Sequence, residues 1–315
     1  MPAVVELDAA PGLQNGHATS KHADVDPTPA HPAFDSIPDV IAAFGTVALF
    51  PTLRRVLILS ALSPSFCSRA LCLLPSLLPS PPRPFPRPFP PTSPKPHPAN
   101  PLPANDEFVI VLDSPSRENE GDLIIAASAL TPAKASFMIR YSSGYICAPL
   151  PVSRAAALHL PQMVADNADP NHTAYAVSID AAHADISTGI SAADRALTCN
   201  LLAADGAKAA DFRRPGHILP LQAREGGVRV RRGHTEAAVE LCRLAGKGEV
   251  GVICELVTDG VRVEGKAELE GGGMMRTEEC VAFGREWGSR VCTIEDLVRW
   301  VEEKEGKLGV EGKDY

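Results

Sequence analysis

The sequence predicts an α/β (α+β) fold, a layered sandwich in which helices cover a mixed sheet. Three observations predict it. Short apolar runs, Phe108–Leu112, Leu123–Ala127 and Gly251–Val257, read as buried strands, because β-branched residues dominate and each run is too short for a helix. Stretches opened by Ser or Thr and striped at helical spacing lie between them. The two kinds of element alternate irregularly, which suits a mixed sheet.

In chain order, Ser36 and Pro38 open a helix with Val40, Ile41 and Phe44 on one face. Strands follow at 108–112 and 123–127. Thr131-Pro132 starts a helix to about Tyr141. Ser143-Gly144 turns into a strand at 145–148 that Pro149 and Pro151 end, and Ser153 caps a short helix to Leu158. Residues 174–180 alternate and read as a strand, and Ser191 starts a helix to about Ala203. Ile218–Leu221 is strand-like, and Gly226-Gly227 makes a turn. A stripe of Ala237, Val239, Leu241 and Leu244 is a helix ended by Gly246. After the strand at 251–257 come a helix at 277–287, a strand at 290–292 and a last helix from Thr293 to about Val301.

The 315 residues are 45% hydrophobic and 22% charged, ordinary for a soluble globular protein with a sizeable core. A net charge of −8 argues against general nucleic-acid binding. The eight cysteines form no Cys-x-x-Cys pair and no zinc-finger spacing, so they read as reduced thiols. Residues 1–30 lack a basic start followed by an apolar core, and Val56–Leu62 is too short to span a membrane. A cytoplasmic protein without a membrane partner is expected.

The chain divides by composition. Residues 1–33 are polar and aperiodic and read as a disordered arm. Residues 34–44 are the first helix. Residues 45–105 do not match their surroundings: no acidic residue occurs between Asp39 and Asp106, and 14 of the 30 prolines fall between Pro75 and Pro103. Proline removes donors and clashes with the preceding turn, so this proline-rich insertion is expected to be structureless. Its ends, Ile41–Phe44 and Asn105–Phe108, would join as a helix end and a strand start if it were cut out, as they would if the segment were translated intron. Residues 106–303 read as one domain, which the motifs below mark as the expected catalytic domain, and 304–315 as a tail.

Polar groups gather at strand ends and helix starts. Arg117-Glu118-Asn119-Glu120-Gly121-Asp122 delivers three carboxylates spaced by two, which share one side if the backbone stays extended. Such crowding is costly unless a cation or sugar hydroxyls are present. At Gly233-His234-Thr235 a helix N-terminus offers N–H groups to an anion, with Arg231 and the Thr235 hydroxyl in support. His217 and Glu255 sit beside apolar sequence, where a proton-transfer group is partly desolvated. Oxygen from Glu118 plus one imidazole from His234 suits Mg²⁺ or Mn²⁺ better than zinc. Each signal alone has a plain structural reading: a solvated acidic loop, a helix start, an ordinary ion pair, a basic face.

Together, the acidic loop, Thr188–Arg195, Arg214-Pro215-Gly216-His217, Gly233–Ala237 and Val252–Glu255, in this order, resemble the 3,4-dihydroxy-2-butanone 4-phosphate synthase family. The resemblance covers about 34–44 and 106–301; the proline-rich segment has no counterpart in it. It implies a layered α/β sandwich and a homodimer with active sites near the subunit interface. It implies conversion of D-ribulose 5-phosphate to formate and L-3,4-dihydroxy-2-butanone 4-phosphate, in riboflavin biosynthesis. By matching motif, Glu118 and His234 are metal ligands, with two ions per site. Arg117, Glu118 and Asp122 contact the sugar. Arg231, Arg232, Gly233, His234 and Thr235, with Thr188, hold the phosphate end. His217 and Glu255 move protons, Glu255 also touches substrate, and Glu120 is a further acid/base. Ser114 stands where relatives often carry a second acid after Asp113. No cysteine cluster follows 301, so the GTP cyclohydrolase domain fused in some relatives is not expected. The alternative is a catalytically impaired relative acting as a dimeric binding module because of the insertion.

Overall fold

The computed structural model describes residues 34–45 and 106–308. The arm at 1–33, segment 46–105 and residues 309–315 lie outside the described residues. The described elements run α1 Ile37–Phe44, β1 Val109–Leu112, β2 Gly121–Ala126, α2 Pro132–Tyr141, β3 Cys147–Pro151, α3 Val152–Ala157, β4 Ile179–Ala181, α4 Ala192–Ala203, β5 Phe212–Ala223, α5 His234–Leu244, β6 Gly251–Glu255, β7 Val261–Arg262, β8 Leu269–Glu270, α6 Thr277–Trp287, β9 Arg290–Thr293 and α7 Ile294–Glu305. Seven strands form a mixed sheet in the order β4-β5-β3-β6-β2-β1-β9. Within it β1 pairs β9 and β3 pairs β5 in parallel, and the remaining pairs are antiparallel. Strands β1 and β2 are buried along their whole length, which requires cover on both faces and fits their unbroken apolar sequence. Helix α5 packs across β1, β2, β3, β5 and β6, with α1 and α7 beside it. Helices α2 and α4 pack on each other, and Phe137 and Tyr141 of α2 each meet Trp287 of α6 with ring centroids 4.9 Å apart. The expected layered α/β sandwich is the observed one.

The capped helices start where local chemistry puts them. Ser36, Thr131, Ser191 and Thr293 each accept from the backbone N–H three residues on. Four readings change. Pro149 lies inside β3 and Pro151 is its last residue; β6 pairs with β3 only through Cys147, so on that side their missing N–H groups cost no ladder bond. The strand expected at 218–221 begins earlier, so the motif Arg214–His217 lies in the first half of the 12-residue β5, which pairs first with β4 and then with β3. Gly216 makes this possible, because a Cβ there would collide with the Ile179 backbone. Ser153 sits within α3, whose N-cap is Pro151, and α7 continues to Glu305, past the boundary expected at 303. The β7–β8 hairpin gave no sequence signal that was read.

The two ends flanking segment 46–105 meet. A Cβ on Gly45 would lie 2.8 Å from Asp106 Oδ1 and 3.0 Å from the Asp106 nitrogen. The Glu107 N–H donates to Ala43 O at 3.0 Å, and Lys247 holds Asp106. Helix α1 belongs to the core, with Val40, Ala43 and Phe44 fully buried. Asp106 also precedes β1, while the acidic loop follows it, so seven extended residues, about 20 Å, separate the junction from the carboxylates. A variant joining Gly45 directly to Asp106 is therefore expected to keep the circular dichroism of the full chain. It should melt no lower, since closing a long loop only costs entropy. An insoluble product or a fall in Tm would show that the core needs the segment.

Candidate active site

The acidic loop joins β1 to β2, and one buried side chain shapes it. Asp113, 5% exposed, accepts the backbone N–H of Glu118 at 3.1 Å and of Glu120 at 2.9 Å, and the Arg117 guanidinium at 2.8 Å. The backbone is not extended here. Residues 115–118 turn and Asn119 takes a left-handed φ of 54°, so the three carboxylates converge through a bend rather than by strand alternation. Glu118 is held by Arg117 and by Asn171 Nδ2 at 2.6 Å. Gly121 is required at the loop's end: a Cβ there would sit 2.6 Å from Cys280 Sγ on α6. Burial first, then the neighbouring Glu118, raises the pKa of Glu120.

Asp122 and Glu255 are cross-strand partners on β2 and β6. Asp122 is 2% exposed, and its Oδ1 has no hydrogen-bond partner. Burial pushes its carboxyl well above the usual range, and Glu255, Glu118, Glu120 and Asp113 push the same way. Glu255 accepts from the Ser143 hydroxyl at 2.9 Å. His234, the first residue of α5, faces this cluster. Its Nε2 lies 3.0 Å from Val111 O, and a carbonyl can only accept, so Nε2 carries the proton. The lone pair of Nδ1 then faces Asp122 Oδ1 at 3.6 Å. Burial lowers the His234 pKa to about 4, which keeps the ring neutral at physiological pH. One ligand atom each from Asp113, Glu118 and His234 lie within 4.8 Å of one another.

Arg231 ties two pieces together at the start of α5. It donates to Glu236 at 2.6 Å and to Asn171 O at 3.0 Å, and so fastens the 169–173 loop whose Asn171 reaches Glu118. Gly233 makes room for it, because a Cβ would meet the Arg231 guanidinium. Thr235 is buried at the helix start, which no side chain caps. Arg232 turns away to pair with Glu295 on α7 at 2.6 Å.

His217 stands elsewhere. It lies on β5, separated by β3 from Glu255 on β6, so two strand spacings, about 10 Å, intervene. Its partner is Asp180 of β4: Nδ1 lies 2.8 Å from Asp180 Oδ2, and the His217 backbone N–H donates to Oδ1 at 2.9 Å. An ionised carboxylate only accepts, so Nδ1 is the protonated nitrogen and Nε2 is left as a base. Gly189 packs on this pair, its own N–H held by Asp194, and exposed Thr188 precedes it. Thus Arg117, Glu118, Glu120, Asp122, His234 and Glu255 share one end of the sheet, with Arg231, Gly233 and Thr235 adjoining. His217 and Thr188 form a second patch. A cavity of about 330 Å³ lined by Arg224, Arg243 and Glu249 lies at the sheet's opposite end, away from both. Asp113, Asn171 and Asp180 were missed from sequence. Asp180 closes the alternating run at 174–180 and was the one with a readable signal.

Residues 103–300 match the family model for 3,4-dihydroxy-2-butanone 4-phosphate synthase. A relative of that name from Pyricularia oryzae is 62% identical over 208 residues, covering 66% of this chain and 89% of the relative. This chain belongs to the 3,4-dihydroxy-2-butanone 4-phosphate synthase family. The synthase of Schizosaccharomyces pombe is 49% identical over 197 residues, 62% of this chain and 91% of that one. A crystal structure of a 3,4-dihydroxy-2-butanone 4-phosphate synthase in complex with two magnesium ions superposes with a TM-score of 0.64 at 62% identity, covering 64% of this chain and 94% of that one.

The donor set of this synthase fits a hard cation. A buried Asp122 oxygen without a hydrogen-bond partner lies 3.6 Å from the His234 Nδ1 among four further carboxylates that raise its pKa, and positive charge relieves that crowding. The His234 Nε2–H bond to a backbone carbonyl fixes the ring and its tautomer, a support that metal-binding imidazoles in general share. Asp113 is engaged by two N–H groups and Arg117, and Glu118 by Arg117 and Asn171, so the geometry brings Asp113, Glu118 and His234 together without choosing among them.

Proposed function

We propose that this chain converts D-ribulose 5-phosphate to L-3,4-dihydroxy-2-butanone 4-phosphate and formate, the lyase step that supplies the four-carbon precursor of riboflavin. The observation that carries the reading is the convergence of Glu118, Asp122, Glu255 and neutral His234 at one end of the sheet, in a chain of this family. Glu118 and His234 would hold Mg²⁺ or Mn²⁺, two ions per site, and the bound charge would supply stabilisation of negative charge developing on substrate oxygens.

The chain's own groups bind and move protons. Arg117, Glu118 and Asp122 hold the sugar hydroxyls. Arg231, Gly233 and Thr235, with Thr188, hold the phosphate against the uncapped helix start. Arg232, drawn off to Glu295, serves from the rim. A base removes the proton beside the ketone, and the Nε2 lone pair of His217 is suited to that work. Glu255 and Glu120 return protons as water leaves, the carbon skeleton shifts and water is taken up again to release formate. Substrate equals the sum of the two products, so no redox partner is needed.

A homodimer with its sites near the interface belongs to the same reading. Support comes from Tyr145, Met163, Val164 and Ile190, large apolar side chains about half exposed, of which Tyr145 lies near Glu255 and Ile190 follows the Gly189 that packs on His217. A cytoplasmic location is part of it too; among the described residues no helix is long and apolar enough to cross a membrane. The insertion joins the domain about 20 Å of extended chain from the carboxylates, so the impaired binding module gains no support. Purified chain incubated with ribulose 5-phosphate and Mg²⁺ is expected to release formate. A five-carbon isomer alone would mark it as an isomerase, and no turnover with intact binding would mark the impaired relative.

A further inference from the structure

We propose that Arg276 is a positioning residue that locks the acidic loop from outside, and that divalent-cation binding depends on it. This rests on the proposed metal site and deepens it. Asp113 satisfies the loop's N–H groups from within, but the carbonyls on the outer side of the bend need a donor of their own. One Arg276 nitrogen supplies it, donating to Glu118 O at 2.7 Å and to Asn119 O at 2.8 Å. The same nitrogen stands 4.0 Å from Glu120, opposing the rise in that carboxyl's pKa.

The placement of Arg276 is built in from both sides. It precedes α6, and its backbone N–H donates to Glu279 at 2.8 Å, which fixes where the helix begins. One turn later Cys280 packs into the space that Gly121 leaves open. On the other side, the Met275 N–H donates to Leu256 O at 3.0 Å, next to Glu255. The start of α6 is therefore anchored to β2 and to the end of β6, and Arg276 reaches the loop from that base. Asn119 in a left-handed conformation relaxes readily when its flanking carbonyls are released. Losing the clamp should loosen Glu118, the loop's proposed ligand, and its neighbours Asn119 and Glu120, while the core stays intact.

Three proteins test this: the parent chain, Arg276→Met and Arg276→Lys. Methionine keeps bulk and removes the donor. Lysine restores a single nitrogen that can reach two carbonyls. Amide hydrogen exchange without metal reads the loop directly, and calorimetric titration with Mg²⁺ alone reads the site. Arg276→Met is expected to exchange the Asn119 and Glu120 amides at least about tenfold faster, to bind Mg²⁺ about tenfold more weakly, and to melt within about 2 °C of the parent. Arg276→Lys should recover most of both losses. Unchanged exchange in the methionine variant would overturn the clamp. Faster exchange with parental Mg²⁺ affinity would overturn the link to the cation, and so would a lysine variant no better than methionine. Should the parent itself bind no Mg²⁺, the metal reading fails, while the exchange data still decide whether Arg276 holds the loop.

Discussion

Glu118→Gln is expected to lower formate release by roughly 10³-fold and to weaken Mg²⁺ binding strongly, with the fold unchanged. Glu118 is the exposed-side carboxylate of the cluster, with its side chain 33% exposed, and among the described residues its oxygens are held by Arg117 and Asn171. Glutamine keeps the shape and can still accept from Asn171, so the loop geometry survives. What disappears is the negative charge opposite His234, and cation stabilisation of developing charge is worth several kcal/mol, or about 1.4 kcal/mol per tenfold in rate. Asp113→Asn is the informative contrast. It also removes charge near the site, yet Asp113 organises the bend through two N–H groups and Arg117. That variant should lose Tm as well as activity, because a buried amide cannot accept as its carboxylate did. Isothermal titration with Mg²⁺, a thermal melt and a formate assay separate the two. Parental Mg²⁺ affinity in Glu118→Gln would remove Glu118 from the ligand set.

What was legible in the sequence, and what was not, follows from the range of the forces involved. Ser36, Thr131, Ser191 and Thr293 satisfy backbone groups three residues away, so the helices they cap can be read locally. The apolar runs of β1, β2 and β6 declare burial on both faces. The path of the acidic loop is set instead by Asp113 reaching forward five and seven residues, a bond with no periodic signal. The length of β5 depends on β4 arriving from 37 residues earlier and on Gly216 letting it approach. The residue types at the site were visible because chemistry restricts them: paired carboxylates, two imidazoles and a helix start. Their partners were not, since Asn171 and Asp180 act across chain separations that only the fold closes.

His217→Ala is expected to reduce formate release by about 10²–10⁴-fold, the usual worth of a positioned acid or base, with Mg²⁺ affinity unchanged. The second half follows from geometry, since His217 lies about two strand spacings from Glu255 and touches no member of the cation cluster. Asp180→Asn probes the cause more finely. In the parent, Asp180 Oδ2 accepts the Nδ1 proton and leaves Nε2 as the base, with the His217 side chain 40% exposed toward its task. An asparagine oriented by the His217 backbone N–H would keep Oδ1 as acceptor and present its amide donor to Nδ1. The ring proton must then move to Nε2, and the base is lost although the ring has not moved. Activity should fall nearly as far as in the alanine variant, with ribulose 5-phosphate KM within about threefold of the parent, because neither residue is placed among the sugar or phosphate contacts. The tautomer is read by long-range ¹H–¹⁵N correlation on histidine-labelled protein, where the parent should show Nδ1–H and the variant Nε2–H. Full turnover by Asp180→Asn with the tautomer switched would mean that Nε2 of His217 never takes a proton in the reaction.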